Sequence, residues 1–243
     1  MDTGKQPAER DRNPATARDE RSRSAMRIRR CGGLLRPLAI RRTAALVALG
    51  LTVIAVVNAC VAQPFLVPST SMENTLRVGD RILVNKLAYR FGGEVRRGDI
   101  VVFDGTGSFV QDDGAARTGP VAGLLRQAAA LAGFAGPGTS DYTKRVIGVG
   151  GDRVTCCDRQ GRITGNGAAG DESETLYPKD APSDVPFDVA VPEGKLFVLG
   201  DHRSQSSDSR DHLGSPGGGM VPVGKVVGRA DGVLWPPSRW QRL

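Results

Sequence analysis

The run Phe65-Leu66-Val67-Pro68-Ser69-Thr70-Ser71-Met72-Glu73-Asn74-Thr75-Leu76 places three hydroxyls in a row after an apolar stretch. Such a cluster ordinarily caps a helix, with Ser71 as the cap and Asn74 or Thr75 in the first turn. It acquires chemical meaning only where a base can take a proton from one of those hydroxyls. The chain has two histidines, His202 and His212, and His202 stands in Gly200-Asp201-His202-Arg203. Counting alone therefore leaves a Ser-His-Asp arrangement open. A lysine can do the same work where burial disfavours its charged form. Five lysines follow residue 62: Lys86, Lys144, Lys179, Lys195 and Lys225. Lys86 (RILVNKLAY) and Lys144 (DYTKRVIGV) lie in apolar strand contexts, Lys179 in a polar loop, and Lys195 and Lys225 after glycines in turns. By residue type and context Lys86 and Lys144 are level.

Other chemistries find less support. The four cysteines, Cys31, Cys60 and the adjacent Cys156-Cys157, have no zinc-binding spacing, so no metal and no cofactor is expected. Cys156-Cys157 is read as structural, with a vicinal disulfide open to it in an oxidising compartment. Gly148-Val149-Gly150-Gly151 lacks the spacing and the following helix of a phosphate loop, and reads as a turn between strands.

The elements that must hold these residues are short strands. Apolar, β-branched runs at 81–85, 100–103, 142–149, 153–157, 162–164, 187–191, 195–199 and 225–229 alternate with Gly-Asp and Gly-Gly turns. This pattern predicts a mainly β domain over residues 63–243, a barrel or sandwich, without the regular helices of a doubly wound fold. One excursion, residues 104–140, interrupts it. Within it 121–134 (VAGLLRQAAALAGF) is helix-compatible, either covering the barrel or dipping into a bilayer surface.

Before that domain the chain changes character. Residues 1–42 carry 12 basic and 5 acidic side chains, whereas the remainder is balanced at 21 of each, so the whole +7 belongs to the tail. A nucleic-acid partner is therefore not expected for the folded part. The tail is too polar to bury a core and is expected to be disordered. Residues 43–62 (TAALVALGLTVIAVVNACVA) are uncharged and long enough to cross a bilayer. The basic flank places the N-terminus in the cytoplasm and the β domain outside the plasma membrane. A cleavable leader has a shorter apolar region and a shorter basic lead. The Val57-Asn58-Ala59-Cys60 run fits a lipoprotein box poorly. An uncleaved single-pass anchor is expected.

The runs 68–76, 79–89, 97–103, 141–154 and 200–210 resemble, in order, the five boxes of the bacterial type I signal peptidases. The resemblance covers nearly all of residues 60–236. It implies a signal-peptidase-like β-barrel or sandwich after one transmembrane helix, with preproteins and membrane lipid as partners. It breaks the tie between lysines: Ser71 would be the nucleophile and Lys144 the general base. Ser69 would join the Ser71 N–H in the oxyanion hole, and Ser206 would orient Lys144. Arg145, Asp201, Asp208 and Arg210 would brace the site as ion pairs. Phe65, Val67, Pro68, Met72, Leu76, Tyr142 and Thr143 would form the substrate site, a small pocket suited to Ala-x-Ala. His202 stands where the family usually has Asn and Ser204 where it often has Asp; His202 is therefore read as structural. Asn74 replaces a common Pro. Two rivals remain: another serine-lysine processing protease of this fold, of the pilin or conjugation type, and a non-catalytic envelope-binding protein. A self-cleaving DNA-binding repressor would not carry a membrane span.

Overall fold

The computed structural model describes residues 35–110, 140–215 and 217–243. Residues 1–34, most of the 104–140 excursion and the whole of 121–134 lie outside the described residues. The chain divides into two units, Met1–Thr52 and Val53–Leu243.

An α-helix, α1, runs Leu35–Cys60. Its stretch Ile40–Cys60 is long and apolar enough to cross a membrane, and none of it is buried by the protein. Ala62, read from sequence as the end of the span, is instead the first residue of strand β1, Ala62–Leu66. Pro64 accounts for the switch, because it lacks the N–H a helix needs and pushes the preceding residue toward extended backbone.

The β domain has two sheets. The larger is built from β1, β2 (Arg81–Asn85), β3 (Ile100–Asp104), β4 (Asp141–Val149), a later strand Lys195–Leu199, and strands near the C-terminus. The smaller contains β5 (Arg153–Cys156), β6 (Thr164–Gly165), β7 (Ala168–Ala169) and β8 (Phe187–Ala190). With β9 (Lys195–Leu199), β10 (Val221–Pro222), β11 (Val226–Trp235) and β12 (Gln241–Arg242), the large sheet has the order β1-β2-β11-β3-β4-β9-β10, and β12 adds to β11. The small sheet has the order β7-β6-β5-β8. The domain is therefore mainly β, as the strand pattern predicts. The sequence places 81–85 and 195–199 at their observed bounds, but β11 extends well past 229, and 162–164 yields only a two-residue strand from Thr164. The larger sheet packs Phe65, Met72, Leu76, Ile82, Val84, Ile100 and Val102 together in one cluster. Val154, Cys156, Phe187, Phe197 and Leu199 form a second cluster joining residues of both sheets.

Candidate active site

Ser71 lies in the connection between β1 and β2. Val67 N–H donates to the Asp80 carbonyl and Gly79 N–H to the Val67 carbonyl, each at 2.9 Å, closing the loop at its base. Met72 and Leu76 are driven into the core, at 1% and 0% exposure, and pin the turn from beneath. From outside, Arg239 grips the buried Asp80 carboxylate at 2.9 Å and donates to the Thr75 carbonyl. Ser71 is thus held at 7% exposure, with its Oγ 3.3 Å from that of the exposed Ser69.

Lys144 is the fourth residue of β4, between β3 and β9, directly opposite Val101. Alternation along the strand sends Lys144, Val146 and Gly148 to the buried face, which leaves the lysine 3% exposed. Burial is the largest influence on its amine and lowers its pKa to about 8; Asp208 pulls it up, Arg210 pushes it down and Asp201 pulls it up. Arg145, the next residue along the strand, is turned to Asp201.

The register of β4 against β9 pairs Arg145 with Leu199. Continued by one residue, it sets Lys144 opposite Gly200. Gly200 is also where the other groups converge. A β-carbon there would lie 2.3 Å from Ser206 Oγ and 2.4 Å from the Ser71 carbonyl oxygen. His202 N–H donates to that same carbonyl at 3.1 Å. One glycine thus lets the nucleophile candidate, the lysine strand and Ser206 meet.

Ser206, 8% exposed, donates its hydroxyl to Asp208 Oδ2 at 2.7 Å. Asp208 is wholly buried and also accepts from Gly200 N–H at 3.1 Å and from Arg210 Nε and Nη2, both at 2.9 Å. Desolvation works to raise the Asp208 pKa, but Arg210 and the hydrogen bonds outweigh it and hold it below the usual carboxylate range. Arg145 and Asp201 form a second, bidentate pair at 2.8 and 2.7 Å, and Thr75 of the nucleophile turn donates its hydroxyl to Asp201. Both ion pairs expected from sequence are present. Asp208–Arg210 braces the 200–210 run internally, and Arg145–Asp201, with Thr75, ties that run to β4 and to the Ser71 turn.

A cleft of about 270 Å³ opens beside Ser71, lined by Phe65, Leu66, Val67, Pro68, Ser69, Met72, Val102, Asp141, Tyr142 and Thr143. Leu76 is not on this wall; it lies in the core beneath, where it packs the turn. Leu66, Val102 and Asp141 are the lining residues that sequence reasoning missed. Asp141 and Leu66 flank residues already singled out, so the signal was adjacency along the same strands; Val102 required knowing that β3 pairs with β4.

The competing readings of the bases separate here. Lys86 Nζ donates to the Asn58 carbonyl at 2.9 Å, at the end of α1 rather than beside Ser71. The His202 ring stacks on Tyr177 at 3.8 Å between centroids, and its Nδ1 makes no hydrogen bond among the described residues, lying 3.6 Å from Glu73. Asp201, the acid a triad would need next to it, is held by Arg145. No group of His, Cys, Asp and Glu suited to a metal occurs among the described residues. Cys156 and Cys157 are joined as a vicinal disulfide, with Cys156 in the second hydrophobic cluster.

Residues 40–235 match the family described as signal peptidase, peptidase S26. A probable signal peptidase I of Mycobacterium leprae is 39% identical over 207 residues, covering 74% of this chain and 71% of the relative. Signal peptidase I of Mycobacterium tuberculosis is 38% identical over 222 residues, 83% of this chain and 74% of the relative. Signal peptidase IB of Staphylococcus aureus is 27% identical over 210 residues, 80% of this chain and 89% of the relative. With four fifths of its length matched and its Ser71 and Ser206 meeting at Gly200, the chain belongs to the signal peptidase family, peptidase S26.

Proposed function

We propose that the chain is a membrane-anchored serine endopeptidase that removes signal peptides from exported preproteins, cutting after small side chains. The observation that carries this is the buried Lys144, with a pKa of about 8, on the strand facing Gly200, where Ser71 and Ser206 come too close to leave room for a β-carbon. A lysine with the ordinary value near 10.4 would be almost wholly protonated at neutral pH; one near 8 is neutral in about a tenth of molecules at pH 7.

Neutral Lys144 takes the proton from Ser71 Oγ as that oxygen bonds to the scissile carbonyl carbon. The negative charge that develops on the carbonyl oxygen is met by the Ser71 N–H and the Ser69 hydroxyl. Lys144, now protonated, gives its proton to the departing amine, and the C–N bond breaks. A water then yields a proton to Lys144 and attacks the acyl ester; the proton returns to Ser71 as the ester opens. Ser206 supports the lysine in a directional way. Its own proton is engaged by Asp208, so toward Lys144 it can only accept. An N–H of the amine directed there leaves the nitrogen lone pair free for Ser71.

The substrate lies extended between the Phe65–Pro68 segment and Asp141–Thr143, adding backbone hydrogen bonds to both. Apolar α1 sits in lipid with its basic flank on the cytoplasmic side, which brings preproteins to the site as they emerge. The test is to incubate the full chain in detergent with a preprotein carrying Ala-x-Ala and read the cut by mass. Cleavage after the second Ala, absent in Ser71→Ala, supports the reading. Intact preprotein, together with no labelling of Ser71 by a mechanism-based acylating inhibitor, leaves the non-catalytic binding reading in its place.

A further inference from the structure

Tyr142 is one of the residues lining the cleft beside Ser71. Behind it stand Phe103, stacked at 5.9 Å between centroids, and Phe109, edge-on at 5.2 Å. These two also pack against each other at 5.3 Å. The third support is Gly105, a buried residue just after β3. Its N–H donates to the Ser140 carbonyl at 2.8 Å, and its carbonyl accepts from the N–H groups of Ser108, Phe109 and Val110 at 3.0, 2.8 and 3.1 Å. The backbone there is therefore not free to move aside. A β-carbon at Gly105 would lie 2.6 Å from both Cδ2 and Cε2 of Tyr142 and 3.3 Å from Phe109 Cβ. Gly105 is outside the left-handed region, so its missing side chain serves space and not backbone conformation.

We propose that Gly105 is a specificity-determining positioning residue, which lets the Tyr142 ring rest against Phe103 and Phe109 and so sets how large a side chain the cleft admits beside Ser71. The inference rests on the peptidase activity proposed above. With Phe103 and Phe109 packed behind the ring, a methyl at 105 drives it away from them, toward the cleft that Tyr142 lines. Restoring ordinary carbon–carbon contact of about 3.5–4.0 Å requires a shift of roughly 1 Å. In a cleft of about 270 Å³ walled by Phe65, Val67, Met72 and Val102, that is close to the space of one methyl group. One methylene more or less in an apolar pocket changes discrimination by roughly 10–200-fold.

The experiment uses the full chain in detergent and four preproteins that differ only in the residue before the scissile bond: Gly, Ala, Ser or Val. Wild type cleaves the Ala substrate. Gly105→Ala is expected to keep kcat/KM on the Gly substrate within about threefold of wild type and to lose at least about tenfold on Ala and Ser. Phe109→Leu removes part of the support behind the Tyr142 ring and is expected to raise Val relative to Ala by about fivefold or more. A folding defect alone would lower all four substrates together and would not change their ratios. If wild type cleaves but both variants keep its ratios, the role of Gly105 is overturned while the activity stands. If Gly105→Ala does not fold, the Phe109→Leu ratio decides: a shift toward Val supports the proposal and an unchanged ratio overturns it. If wild type cleaves none of the four, the peptidase reading fails and this inference fails with it.

Discussion

The main chain of His202 donates to the carbonyl of Ser71 at 3.1 Å. The residue whose side chain looks like a second base thus holds the nucleophile's turn with its backbone, and any side chain can supply that N–H except proline's. Its ring does something separate, stacking on Tyr177 and standing 3.6 Å from Glu73.

His202→Asn should therefore keep the Ser71 contact and most of the turnover, within about threefold, while losing roughly 1 kcal/mol of stability with the ring stack. A melting curve and a cleavage assay on the same preparation measure both. A folded variant with turnover reduced a hundredfold or more would make the imidazole part of the chemistry.

The lowered pKa of Lys144 predicts a rate that climbs with pH through about 8 and levels above it, because only the neutral amine accepts a proton. Lys144→Met should abolish cleavage and should not weaken the fold. The sign follows from linkage. Between about 8 and 10.5 the unfolded chain holds a proton on Lys144 that the native chain has released, so the native state gains stability as pH rises through that window. Below it the native lysine carries a full penalty, on the order of 3 kcal/mol. Lys144→Met should accordingly raise the melting temperature at pH 7, with the advantage shrinking toward pH 10.5. Denaturation curves at pH 7 and 10 test this, and a lower melting temperature for Lys144→Met at pH 7 would refute it.

Gly200→Ala adds a carbon within 2.5 Å of Ser206 Oγ and Cβ and of the Ser71 carbonyl. None of these can withdraw without breaking the Ser206–Asp208 or Ser71–His202 hydrogen bond. The expected outcome is a loss of roughly 1–3 kcal/mol of stability and at least a hundredfold of kcat, since about 1 Å of misplacement can cost that much. Urea titration and single-turnover cleavage would measure the two losses. Wild-type kcat in Gly200→Ala would mean that the convergence at Gly200 does not set the reacting geometry.

Asp208 accepts from Ser206, Gly200 and Arg210 with no exposure to water. Asp208→Ala leaves Arg210 without its buried partner, a loss of about 3–5 kcal/mol. With the native pKa held below the unfolded value, the stability Asp208 contributes is complete above about pH 4 and is lost as pH falls through the native value. The acid limb of a stability–pH curve should therefore flatten in Asp208→Asn, which cannot titrate. An unchanged limb would place the acid-sensitive carboxylate elsewhere.

The sequence by itself determined the class of the chain and its order. A charge-free run of helix-spanning length, then β-branched runs between Gly-Asp turns, required a span followed by a mainly β domain, because those patterns are local and each element carries its own. The Ser71 turn, the 141–149 strand and the 200–210 run were legible as separate pieces for the same reason. What only the tertiary structure decided was which pieces meet. Lys86 and Lys144 stand in similar apolar sequence contexts, and nothing local distinguishes them. The pairing of β4 with both β3 and β9 buries Lys144 and brings its strand alongside Leu199 and Gly200, while β2 leads Lys86 to the end of α1. Leu76 likewise reads as a pocket residue from its neighbours, but the curl of the turn puts it underneath, in the core. Arg145 adjoins Lys144 in sequence, yet strand alternation sends adjacent side chains to opposite faces, so Arg145 pairs with Asp201 and it is Arg210 that acts on the lysine. The assembled site, and with it the lysine's usable proton affinity, arises from contacts between residues far apart in the chain, such as Ser71 and His202, which no window along the chain contains.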